Sequence, residues 1–202
     1  MERPSKAEIR AFPLYSGLDL IKIKLVENEI DAAEAFSALS REVRLGFDTE
    51  SKPTFRKGQV SPGPTLVQLA TVSKAFLFPM RFPAAVSAAR EILSNPKIQK
   101  VGFGLRGDNK ELRGKLDIAI VNTLDLSVKL KNLAGEKNTI GARAAVAMVL
   151  KLRLGKGAQT SNWGAYPLQK SQIQYAANDA HSAICIAQKL DAFPKAGPPP
   201  TE

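Results

Sequence analysis

The sequence predicts an α/β fold in which a mixed sheet, an antiparallel meander leading into parallel strands, is flanked by helices. Three observations predict it. Three strand-like runs, Arg44-Leu45-Gly46-Phe47-Asp48-Thr49-Glu50, Leu66-Val67-Gln68-Leu69-Ala70 and Ala75-Phe76-Leu77-Phe78, follow one another with only loop or turn residues between them, as hairpin-connected antiparallel strands do. After Pro83 the pattern alternates helix, strand, helix, strand, the rhythm of parallel pairing. The chain has 202 residues, 44% of them hydrophobic, which is enough for one sizeable core and little for two.

The elements follow in order. Ile21-Lys22-Ile23-Lys24-Leu25-Val26 alternates apolar and basic side chains, as a half-buried strand does. Asp31 then precedes an Ala/Leu-rich helix running to about Val43. Ser51 to Pro64, broken by Pro and Gly, reads as a loop, and Ser73-Lys74 as a turn. From Pro83 come a helix to about Ser94, a strand from Ile98 to Phe103, a helix from Asp108 to Lys115 and a strand from Ile118 to Leu124. Asp117 falls in a turn, Asp125 caps a helix, and the remainder is mostly helical, ending in a helix from Ser171 to Leu190. Residues 1–19 read as an N-terminal extension, 20–192 as one domain, and 193–202, rich in Pro and Gly, as a flexible tail.

The excess of 29 Lys+Arg over 19 Asp+Glu gives a formal charge of +10. This favours a polyanionic partner through long-range attraction and counterion release, although many basic proteins bind no nucleic acid specifically. The single cysteine, Cys185, excludes an internal disulfide, and no paired Cys/His spacing points to zinc. Met1 to Lys6 lacks the apolar core of a signal peptide, and no uncharged apolar run approaches the roughly 20 residues of a membrane span. The expectation is a soluble cytoplasmic protein with no membrane partner.

Against that basic background the acids are arranged suggestively. Asp48 and Glu50 are two residues apart on a strand and project from the same face; two charges so placed repel unless a cation lies between them. Tyr175 and Asp179 are four apart on a helix and share a face, and Ala176, Ala177, Ala180 and Ala183 let that helix approach a sheet closely. Asp108 begins a helix after a parallel strand. Each feature also has an ordinary reading: a surface pair, an amphipathic helix, an N-cap. Collecting carboxylates has a chemical purpose in phosphoryl transfer, where two divalent ions about 4 Å apart need hard oxygen ligands.

Phe47-Asp48-Thr49-Glu50, Val67-Gln68-Leu69, Gly102-Phe103-Gly104 leading to Gly107-Asp108, Ser161-Asn162-Trp163, Pro167-Leu168 and Gln172 to Ala180 together resemble the DEDD superfamily of 3′→5′ exonucleases. The resemblance is closest to the tyrosine-containing branch that includes ribonuclease D and Werner-type exonuclease domains, and it covers roughly residues 20 to 192. It implies a ribonuclease-H-like mixed sheet and hydrolysis of DNA or RNA from a free 3′ end with two divalent ions, Mg2+ or Mn2+. Asp48, Glu50 and Asp179 would hold the first ion, Asp48 and, through water, Asp108 the second, and Tyr175 would orient the attacking water. The histidine branch would place His where Gln174 stands; the one histidine, His181, follows Asp179 and is taken as non-catalytic.

Basic loop residues Arg56, Lys57, Arg106 and Lys156 are candidates to track phosphates, and each also reads as an ordinary solvated charge. Trp163 is a candidate to stack on a base, with packing as its other reading. Two competing functions remain. Gly102-Phe103-Gly104-Leu105-Arg106-Gly107 matches a dinucleotide-binding G-x-G-x-x-G, with Asp125 about 20 residues on, but Asp108 would repel a pyrophosphate there. The other is a non-catalytic nucleic-acid-binding module of the same fold, which would be signalled by a missing carboxylate; none is missing.

Overall fold

The computed structural model describes residues 1–53, 60–155 and 157–192. Its strands are β1 (Ile23–Leu25), β2 (Arg44–Ser51), β3 (Pro64–Ala70), β4 (Ala75–Pro79), β5 (Gln99–Gly102) and β6 (Thr123–Asp125). Its helices are α1 (Lys6–Ala11), α2 (Glu29–Leu39), α3 (Pro83–Ser94), α4 (Leu105–Leu116), α5 (Leu126–Ala134), α6 (Ala142–Leu150) and α7 (Lys170–Asp191). The six strands form one sheet in the order β1-β4-β3-β2-β5-β6. β2, β3 and β4 are the antiparallel meander, while β1 joins β4, β5 joins β2 and β6 joins β5 in parallel.

Strand alternation divides the interior into two layers. Leu45, Phe47, Val67, Leu69, Phe76 and Phe78 face α2, α3 and α4, where Leu39, Ile92 and Leu112 meet them. Leu66, Ala70, Leu77 and Val101 face the other way, toward α5, α6 and α7. Gly46 lies on that second side of β2, and α7 crosses so close that a Cβ there would stand 1.9 Å from the Ala180 carbonyl oxygen. The alanines Ala176, Ala177, Ala180 and Ala183, all fully buried, make this approach sterically allowed. Among the described residues no helix is long and apolar enough to cross a membrane.

Four boundaries differ from the sequence expectation. Leu20–Lys22 is a 3-10 turn, so β1 is shorter than Ile21 to Val26. Asn28 caps α2 by accepting the Asp31 amide, and Asp31 instead lies inside the first turn, paired with Lys24. α4 begins at Leu105, which places Asp108 within the first turn rather than at its cap. The run from Ile118 is not a strand: its donors at Ile118, Ile120 and Val121 go to Leu112, Asn109 and Leu93 on α4 and α3, so no ladder forms before Thr123. Ile118 and Ile120 are buried against the helices instead. The segment before residue 20 contributes Tyr15 and Leu18 to the core beneath α7.

Candidate active site

β5 pairs with β2 only along Arg44–Gly46. The rest of β2 therefore runs beyond its parallel neighbour, and Asp48 and Glu50 stand on this extension, on the α7 side by alternation from Gly46. After β5 the chain turns close against β2: a Cβ at Gly102 would lie 2.5 Å from the Phe47 carbonyl oxygen. Gly104, in the left-handed region at φ 70°, then starts α4, which sets Asp108 level with Thr49. The Thr49 hydroxyl donates to Asp108 Oδ1. From the opposite layer α7 brings Tyr175 and Asp179 to the same strand end, with Asp179 only 8% exposed.

Asp48, Glu50, Tyr175 and Asp179 line one open cleft of about 560 Å³. Asp108 approaches from the other layer through Thr49 and is not among the cleft's lining residues. Asp48 Oδ1 accepts the Thr49 amide at 2.9 Å, and Tyr175 stands beside Asp179 in the cleft, its hydroxyl acting to lower the Asp179 pKa. Among the described residues no ion pair reaches any of the four acids. Burial and the charges of Asp179, Asp108 and Glu50 push the Asp48 carboxyl well above the usual range. Burial with Asp179 and Asp108 raises Glu50 to about 8. Asp179 rises through burial to about 6, held back by the Tyr175 hydrogen bond and the Arg143 guanidinium. Asp108 also rises through burial, opposed by Thr49.

Burial, with mutual repulsion where the acids face one another, keeps these carboxyls from ionising. Their oxygens are hard donors of the kind that suits Mg2+ or Mn2+ rather than zinc, and a divalent ion would reverse the repulsion that raises them. The donor set therefore fits such ions. Among the described residues no three His, Cys, Asp or Glu side chains already converge to a coordination sphere.

The residues expected to touch nucleic acid fare differently. Trp163 is 3% exposed, with its ring centroid 6.1 Å from that of Tyr175. It is a packing residue behind the site, so of its two readings packing holds and its candidacy to stack on a base is corrected. Thr65 donates to the carbonyls of both Glu50 and Trp163, and buried Gln172 donates to Ser161 while accepting the Gln169 amide. These bonds tie the Ser161-Asn162-Trp163 turn to the start of α7. Arg106 is exposed on the first turn of α4. Arg56, Lys57, Lys156 and the tail 193–202 lie outside the described residues.

The dinucleotide alternative is corrected by Asp125. Its carboxylate accepts the amides of Gly104 and Leu105 as well as that of Ser127, so the donors a pyrophosphate would need are already taken by an anion.

Three residues to which the sequence assigned no role belong to this region. Arg3 and Arg143 line the cleft with the acids. Arg143 carried a legible signal as the lone charge in the otherwise apolar Ala142-Arg143-Ala144-Ala145-Val146-Ala147-Met148-Val149-Leu150; Arg3 carried none. Gln68, opposite Asp48 in the β2/β3 ladder, is fully buried, and neither amide atom has a hydrogen-bond partner among the described residues.

A family model described as 3′-5′ exonuclease matches residues 23–192. The bifunctional 3′-5′ exonuclease/ATP-dependent helicase WRN of Mus musculus is 31% identical over 156 residues, covering 72% of this chain and 11% of that protein. A 3′-5′ exonuclease of Arabidopsis thaliana is 29% identical over 164 residues, covering 75% of this chain and 54% of that protein. The chain thus spans about half or less of these relatives' length. Among solved structures, the ribonuclease D:GMP complex of Trypanosoma brucei superposes with a TM-score of 0.77 at 21% identity, covering 93% of this chain and 60% of that one, which shows the ribonuclease-H-like fold. With the family model spanning nearly all of the described sheet and helices, this chain belongs to the 3′-5′ exonuclease family.

Proposed function

We propose that the protein hydrolyses phosphodiester bonds from the 3′ end of DNA or RNA, releasing nucleoside 5′-monophosphates, as a member of the tyrosine-containing DEDD branch. The observation that carries this reading is the convergence of Asp48, Glu50, Tyr175 and Asp179 on one open cleft, with Asp108 beside it. Asp48, Glu50 and Asp179 would hold one divalent ion, and Asp48 with Asp108 a second. Bound there, two Mg2+ or Mn2+ ions supply acidification of the attacking water and neutralisation of the charge on the leaving oxygen.

The chain's own groups do the rest. Tyr175 stays protonated, because burial and the neighbouring charges of Asp179, Glu50 and Asp48 push its phenol well above its usual range. It therefore acts as a neutral hydrogen-bond donor that fixes Asp179 and positions water, and it does not abstract a proton. Thr49 restrains Asp108, and the Trp163 turn backs Tyr175, so the reacting groups are held by both layers. The GMP in the ribonuclease D structure supports a nucleotide product.

The test is digestion of matched 5′-labelled DNA and RNA single strands with magnesium or manganese. The expected result is a ladder shortened stepwise from the 3′ end, lost with EDTA and with Asp48→Ala by about a thousandfold or more. Tight binding of both strands without shortening under any divalent ion would favour the non-catalytic module instead.

A further inference from the structure

The N-terminal segment lies outside the part of the chain that the family model matches, yet it is fastened to the catalytic helix. Gln174, Asn178, His181 and Cys185 fall on one face of α7 by spacing. Each meets the segment: Gln174 donates to the Leu18 carbonyl at 2.8 Å, Asn178 packs on Gly17, and the Tyr15 hydroxyl bonds His181 Nδ1 at 2.7 Å and reaches Cys185. Gly17 has φ +65°, and a Cβ there would sit 1.8 Å from Asn178 Oδ1, so only glycine allows the contact. Backbone bonds from Tyr15 to Arg153 and from Arg153 to Pro13 add a second anchor.

Toward the N-terminus from this strap lies α1, which buries no residue of its own and is started by a capping box between Ser5 and Glu8. Ahead of α1, Arg3 reaches the cleft. Of the cleft's lining residues, Arg3 and Arg143 are the two cations, facing Asp48, Glu50 and Asp179. Neither is in an ion pair among the described residues; Arg143 holds Gln159 at 2.6 Å. An acidic centre repels the phosphates on both sides of the scissile bond, and guanidinium groups at its rim are the chemistry that offsets this.

We propose that residues 1–18 form a substrate clamp, strapped to α7, in which Arg3 works with Arg143 to grip a backbone phosphate of the strand adjoining the scissile bond. Arg3 is a binding residue here, and Tyr15, Gly17 and Leu18 are the strap that positions it. The clamp rests on the exonuclease reading and adds to it a contact made from outside the family's matched region.

The experiment measures kcat and KM on short 5′-labelled single strands across a series of salt concentrations with the full chain, Arg3→Ala, Arg3→Glu and the charge-matched control Arg41→Ala. For Arg3→Ala the expectation is a KM raised about tenfold, the loss of one charge-assisted contact, with kcat within about twofold. The slope of log KM against log salt becomes shallower by about 0.7, one phosphate contact on a single strand. Arg3→Glu raises KM further, and Arg41→Ala leaves both KM and slope unchanged. Parental KM and slope in Arg3→Ala overturn the clamp. So does an unchanged KM with half-maximal activity at lower metal concentration, which makes Arg3 a counter-ion to the acids. If the parent shortens neither strand, the nuclease reading falls first and the clamp with it.

Discussion

The two layers that sandwich the sheet are built to different rules. Between the sheet and α2, α3 and α4 the packing is mostly aliphatic and aromatic; fully buried Lys100 donates to the carbonyls of Asn95 and Ile98, and Glu111 on α4 holds one carboxylate oxygen out of water with no partner among the described residues. Beneath α7 the same sheet meets alanines, a glycine crossing, a Gln68 amide with no partner among the described residues, and carboxyls that burial and mutual repulsion keep from ionising. One layer gains stability from its interior. The other gives some up to hold charge where the proposed substrate and ions would bind, which is what an electrostatically preorganised site requires.

The largest expected effect breaks the layers apart. Ile92→Ala, in the apolar layer, should lower unfolding free energy by about 3 kcal/mol, from lost transfer energy and a cavity, while the folded fraction keeps its kcat. Asp48→Asn should do the reverse, removing activity while raising the melting temperature of the metal-free protein, because it replaces a carboxyl whose ionisation is opposed by burial and by Asp179, Asp108 and Glu50. Urea unfolding and thermal melts alongside the strand-shortening assay check both. A destabilised Asp48→Asn would show that the acids are structurally integrated and the contrast false.

A second expectation concerns pH. In the folded, metal-free protein Glu50 and Asp179 keep their protons up to about 8 and about 6, whereas in an unfolded chain they titrate near 4.5 and 3.8. Between those limits the folded state binds more protons than the unfolded one, so stability is highest below about pH 4 on this account and falls as pH rises to about 8. The melting temperature should drop across that window by on the order of 5 °C. Saturating manganese, which binds the ionised carboxylates, should flatten the curve, as should Glu50→Gln in part. A melting temperature independent of pH in the metal-free protein would remove the frustration assigned to this layer.

How much of this was legible in the sequence follows from range. Features set by neighbours in the chain were readable: alternation places Asp48 and Glu50 on one face of β2, helical spacing places Tyr175 and Asp179 together, and the alanines of α7 announce its close crossing. Features set by distant partners were not. Ile118 to Val121 looks like a strand by composition, but its backbone donors are consumed by α3 and α4. Asp108 looks like a cap because the chain alone does not show that Gly104 in the left-handed region starts the helix a turn earlier. Trp163 is exposed or buried according to Thr65 and α7, far away in sequence. Arg3 shows nothing until Tyr15 and Leu18 are seen bound to α7.

The smallest effect is the most specific to the contrast. Gln68 lies in the site layer between Leu66 and Ala70 in register with Asp48 and Leu77, with a primary amide shut away from water. An unsatisfied buried polar group costs about 1–3 kcal/mol, and an apolar side chain of similar volume restores most of that. Gln68→Leu should therefore stabilise the protein by about 1 kcal/mol, or roughly 3 °C in the melt. A change of that sign is rare for a fully buried position, where most substitutions destabilise. An equal swap in the other layer, Leu69→Gln, should cost more than Gln68→Leu gains, since it introduces an amide among Phe47, Phe76 and Phe78. If Gln68→Leu instead lowers the melting temperature, the amide has found partners beneath α7, and this layer is as well satisfied as the one across the sheet.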